Sequence, residues 1–197
     1  MIDVREIDHA ALHRHMGGIP LRSGLYYPTT PHTAVSTANT LGNGTGRFSP
    51  WRIRRTTTFS KIGAEVTAAG DSGSVLRIGI YADDGTGYPG ALVLDAGTIA
   101  GDAIAVAEIA TSFTLTPGLY WVGAVVQGVT TTQPTVRTIA MDLGGEMPLT
   151  GGTIPAAAAI PVVGFVGFSM TGALPAAWPT ATPNTSGTAA RVFVKTA

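Results

Sequence analysis

From residue 56 onward the chain repeats one pattern: apolar and polar side chains alternate in short runs, and glycine, proline or aspartate closes each run. Successive side chains of a strand point to opposite faces, so alternation marks a strand with one buried face. Residues 56–67 place Ile62, Ala64 and Val66 on one face and Lys61 and Glu65 on the other. The run 75–81 turns Leu76, Ile78 and Ile80 inward and Arg77 outward. Shorter or weaker runs follow at 91–95, 103–110 and 136–141, and 191–195 closes the domain with Val192 and Val194 inward. Residues 119–126, Leu-Tyr-Trp-Val-Gly-Ala-Val-Val, are apolar on both faces, which predicts a central strand. Tyr120 and Trp121 fall on opposite faces of it, one toward the core and the other toward an interface or ligand. Turns are expected at 71–74, 83–90 and 116–118. The pattern predicts an all-β fold, an antiparallel β-sandwich or jelly roll, over residues 51–197.

The first 22 residues follow a different period. Asp3 is placed to cap a helix, with Glu6 three residues on completing a capping box. Val4, Ile7, Ala11 and Leu12 recur at helical spacing, and Gly17, Gly18 and Pro20 end the run. A helix this short is marginal alone, so residues 1–22 read as a helical anchor that docks on a partner. Residues 23–50 are rich in Thr, Asn, Gly and Pro, with Tyr26 and Tyr27 as an aromatic pair. They read as an extended arm lying over another surface.

Composition supports this and narrows function. Gly (26) and Pro (13) make up about a fifth of the 197 residues, which suits many short strands and turns. Charged residues are only 12%, and 12 basic residues balance 12 acidic ones. Zero net charge gives no electrostatic case for nucleic acid or anionic lipid. So sparse a surface charge implies that sister copies or other subunits cover much of the surface. There are no cysteines, which excludes disulfides, thiolate metal sites and a cysteine nucleophile. The start, Met1 to Glu6, is charged where a secretory signal needs apolar residues, so release by lysis is expected over secretion. The longest apolar stretch, 154–170, is broken by two prolines and two glycines, and no membrane insertion is expected. Residues 151–170 are too apolar for an exposed loop, and packing over the sandwich or into a subunit interface is expected, the interface being favoured.

Chemistry-bearing residues are few. His9, His13 and His15 lie close together, and His13 and His15 form a His-x-His pair able to hold a metal on a symmetry axis. No carboxylate stands at a supporting spacing, so neither a metal nor any other cofactor is expected. Asp83 and Asp84 lack the spacing of a calcium loop and read as turn formers beside glycine. Glu65, Glu108 and Glu146 are isolated, Gly-x-Ser-x-Gly is absent, and His32 is the one histidine beyond residue 22. Nothing assembles a hydrolytic set, and no enzyme is expected. Sugars bind on flat aromatic faces flanked by polar groups, and Tyr88, Tyr81, Trp51 and Trp178 are the candidates for that role.

Three segments carry a resemblance to a jelly-roll module of bacteriophage and prophage tail appendages, such as tail fibres and minor tail proteins. They are Arg77-Ile78-Gly79-Ile80-Tyr81-Ala82-Asp83-Asp84-Gly85 continuing through Tyr88-Pro89-Gly90 to Gly97; Leu115-Thr116-Pro117-Gly118-Leu119-Tyr120-Trp121; and Gly172-Ala173-Leu174-Pro175 with the strand Arg191-Val192-Phe193-Val194. The resemblance spans about residues 23–197 and brings no catalytic residues with it. It implies a place in the virion, assembly as a homo-oligomer, commonly a trimer, partners among other virion structural proteins, and contact with host cell-surface glycans. The expected function is a phage tail or fibre protein that docks through its N-terminus. The alternatives are a capsid-bound head fibre or decoration protein with scaffolding work, a stand-alone carbohydrate-binding module and, last, a polysaccharide-cleaving enzyme.

Overall fold

A computed structural model describes residues 21–29, 38–140, 164–167, 169–179, 182–183 and 188–197. The expected helix, capped by Asp3 and ended by Gly17 and Gly18, lies outside them. The strands are β1 (Tyr26–Pro28), β2 (Ala38–Asn39), β3 (Gly46–Ile53), β4 (Thr57–Ala68), β5 (Val75–Asp83), β6 (Pro89–Ala100), β7 (Ala105–Leu115), β8 (Gly118–Gln127), β9 (Thr135–Ala140), β10 (Phe165–Gly167), β11 (Thr182–Pro183), β12 (Thr188–Ala190) and β13 (Phe193–Thr196). Among the described residues there is no helix, and the strands form two packed antiparallel sheets.

The six-stranded sheet runs β11-β10-β3-β8-β5-β6. In the seven-stranded sheet β4 is the spine: β7 lies along one side, and β13 and β9 share the other. β1 lies beyond β13, while β2 and β12 pair with β9. β7 passes directly into β8 and so crosses from one sheet to the other. The Tyr120 hydroxyl donates back to the Thr116 carbonyl at 3.1 Å and ties down this corner.

The core between the sheets is the one that the alternation predicts. Ile62, Ala64 and Val66 of β4 face Leu76, Ile78 and Ile80 of β5 and Val122, Ala124 and Val126 of β8. Phe59 joins them although it stands three residues before Ile62. A bulge at Ser60 resets the alternation of β4, and the Ser60 hydroxyl donates to the Lys195 and Thr196 carbonyls at 3.4 and 3.3 Å.

A second core lies on the outer face of the six-stranded sheet. Phe48, Tyr81, Trp121 and Val125 project there and are buried by Met170 and Leu174. Residues 169–179 cross this face as a strap, which explains why β8 is apolar on both sides. Gly79 makes room for the strap, since a Cβ there would run into Leu174 and the Leu94 carbonyl. Polar hooks fix it. Gln127 donates to the carbonyls of Met170 and Gly172 at 2.9 and 3.0 Å, and Tyr81 donates to that of Pro175 at 3.0 Å. The Leu174 N–H donates to Asp95 at 3.0 Å, and Arg77 grips both oxygens of Asp95. The strap ends by pairing with β6: Leu92 N–H donates to Ala176 and Trp178 N–H to Gly90, each at 2.9 Å.

One expectation is corrected. Residues 23–50, read as a loop-like arm, supply β1, β2 and most of β3, with Leu41 and Phe48 fully buried. The domain therefore takes in the arm instead of starting at Trp51. The described part of the 151–170 stretch packs on the sandwich itself: β10 pairs with β3, and Met170 is buried in the second core. Residues 151–163 lie outside the described residues.

Candidate functional site

Four aromatic residues are nominated by the sequence as exposed sugar contacts, and the structure divides them. Tyr81 is fully buried, with its ring edge-on to Phe48 and Trp178 at 5.3 and 5.0 Å between centroids. Burial pushes its hydroxyl well above the usual tyrosine range. Trp51 is 8% exposed and stacks obliquely on Phe59 in the main core. The expectation of exposure fails for both, because β3 and β5 are buried on two sides. Trp121 is buried too, and Tyr120, on the opposite face, is partly buried against the main core.

Tyr88 and Trp178 are half-buried neighbours of the second core. Trp178 closes on Phe48 edge-on at 5.0 Å. Tyr88 ends the loop between β5 and β6, and sequence explains that loop's shape. Asp83 accepts from the Gly85 N–H at 2.9 Å, and Asp84 accepts from the Thr86 N–H and hydroxyl at 2.7 and 2.6 Å. Gly85 and Gly87 take the left-handed φ values of 94° and 89° that the turn needs. The Trp121 indole donates to the other oxygen of Asp83 at 3.2 Å and moors the loop to the sheet. Hydrogen bonds from Thr86 hold the exposed Asp84 carboxyl below the usual carboxylate range. These aspartates act as turn formers. The loop thus holds Asp84 and Thr86 beside Tyr88, which packs, as Trp178 does, against the second core.

The second surface of interest is the outer face of the seven-stranded sheet, which the sequence reading does not single out. Glu65 accepts from Arg137 at 2.8 and 3.1 Å and from Arg191 at 3.0 Å. Hydrogen bonding from Arg137 above all holds its carboxyl below the usual range. Glu108 is bonded to Lys61 and to the Tyr26 hydroxyl. Arg191 lies over the Phe193 ring at 4.8 Å and Lys195 over that of Tyr26 at 5.5 Å. Each aromatic ring here has a cation on it, and each acid a base beside it. The signal available was the outward set Lys61 and Glu65, which gives charge but not partners.

Among the described residues no three His, Asp or Glu side chains gather as a metal site. No described helix is long and apolar enough to cross a membrane. The anchor residues Val4, Ile7, Ala11 and Leu12, and the metal candidates His13 and His15, lie outside the described residues. Compared with family models, with curated proteins and with solved structures, the chain matches none of them.

Proposed function

We propose that the chain is a virion structural protein of a phage tail or fibre, with a jelly-roll sandwich that contacts host-surface glycans. Residues 1–22 dock it on other virion proteins, and copies assemble together, the resemblance favouring trimers. The observation that carries the reading is the β5–β6 loop. The segment that resembles the tail-appendage module forms a moored turn at the sandwich margin, with Asp84 and Thr86 bonded to each other beside Tyr88, and Tyr88 and Trp178 each packed against the second core. Half-buried aromatic rings flanked by hydroxyl and carboxyl groups suit a sugar ring, whose apolar face stacks while its hydroxyls bond. Tyr81 and Trp51 leave this role and serve the cores.

A glycan array on the purified protein tests it. Tyr88→Ala is expected to lose the signal with little change in melting temperature. No binding by the wild type, or full binding by the variant, removes the glycan role. A scaffolding role, as in a head fibre or decoration protein, draws support from the paired charges on the other outer face, which leave few groups for a ligand. Labelling of intact particles, followed by negative-stain imaging, separates head from tail.

A further inference from the structure

The two long edge strands of the sandwich are guarded unequally. β6 departs from regular pairing with β5 at three places, and the strap pairs with it at residues 90–92. β7 pairs with β4 in unbroken register from Ala110 opposite Lys61 to Ala105 opposite Val66, and its bulge comes only after Ala110. Among the described residues no strand pairs with its other side. Natural edges are blunted by lysine, proline, bulges or cover. Residues 103–115 contain neither lysine nor proline, and Glu108 is their one charge. Val106 and Ile104 are 81% and 71% exposed.

We propose that β7 is a self-association edge: two copies pair β7 antiparallel about a two-fold axis and join their seven-stranded sheets into one. A row of backbone N–H and C=O groups that no described strand pairs is a template for an extended strand. A second copy is the occupant because the strand complements itself. Matching faces require residues of like parity to stand opposite each other. Setting Val106 opposite its own equivalent puts Ala105 against Ala107 and Ile104 against Glu108. That register joins Val106 to Val106 and alanine to alanine, and it opposes each Glu108 to Ile104 instead of to the other Glu108. The flanking charges are already neutralised within each copy, Glu108 by Lys61 and Glu65 by Arg137 and Arg191. Zero net charge leaves no long-range repulsion between copies. A two-fold contact of one patch with itself closes and does not propagate. The inference does not depend on the virion reading.

Sedimentation velocity of the full chain over a wide concentration range tests it, with amide exchange read at residues 105–110. The wild type is expected to form a dimer with slowed exchange there. Val106→Asp places like charges across the axis and is expected to weaken the dimer about tenfold or more. It leaves circular dichroism unchanged, and Val106→Thr keeps the dimer. A monomer at every concentration overturns the proposal. So does a dimer indifferent to Val106→Asp, or a trimer in which 105–110 exchange freely.

Discussion

The outer faces of the two sheets are finished by opposite means. On the six-stranded sheet Phe48, Tyr81, Trp121 and Val125 point outward, and the strap of residues 169–179 removes them from water. On the seven-stranded sheet Glu65, Arg137, Arg191, Lys61 and Glu108 point outward and pair with one another, and among the described residues no strap crosses them. Burial of aromatic surface is worth far more than exposed ion pairing. The strap side should therefore carry stability, while the charged side sets solubility.

The sharpest way to break this contrast is to remove one aromatic ring from each face. Phe48→Ala, in the second core, is expected to cost about 3–5 kcal/mol, and Phe193→Ala, half-buried under Arg191, about 1 kcal/mol. Denaturant unfolding of the two variants measures both, and equal losses would show that the strap adds nothing. A smaller effect comes from crowding the strap without removing a side chain. Gly79→Ala directs a methyl at Leu174 and the Leu94 carbonyl and is expected to cost about 1–3 kcal/mol. The accompanying change should be in Trp178 fluorescence, with Trp51 in the main core undisturbed.

The smallest effect is set by pH. Burial works against the charge on Asp95, but the Leu174 N–H, Arg77 and the Gly97 N–H together hold its carboxyl below the usual range. A group depressed on folding stabilises fully above its unfolded pKa, about 3.9 for aspartate, and loses that contribution as pH falls through the folded value. Urea midpoints measured from pH 7 downward should fall below about pH 4. Asp95→Asn should start lower and fall less, and parallel curves for the two proteins would clear Asp95 of this role.

How much of this was legible in the sequence depends on how many faces of a strand are buried. β4, β5 and β8 have a core on at least one regular face, and Ile62, Ala64, Val66, Leu76, Ile78 and Ile80 were placed inward correctly. β3 failed because its burial is two-sided and its sequence is mixed: Phe48 turns to the strap, Trp51 and Ile53 to the main core, with Ser49 and Pro50 between them. Tyr81 was misread for a related reason. It follows Ile80 on the opposite face, and outward there means into the second core. The apolar double face of 119–126 was the available hint of a cover. The strap itself, Ser-Met-Thr-Gly-Ala-Leu-Pro-Ala-Ala-Trp-Pro, has no period to read, because apart from one short bridge to β6 it is held by single hooks and not by a ladder. The Tyr88 loop was legible because Asp and Gly fix a turn locally, without help from the rest of the fold.

β1 lies antiparallel on β13, from Tyr26 opposite Lys195 to Pro28 opposite Phe193. The Thr196 hydroxyl donates to the Arg22 carbonyl at 2.6 Å, so residues 22 and 196 stand side by side. Tension applied between these two points would act at one end of the pair and unzip it rung by rung, whereas tension shared by both strands leaves the rungs intact. An attachment that gripped both points together would keep the pair closed under load, and one that pulled them apart would open it at β1 first.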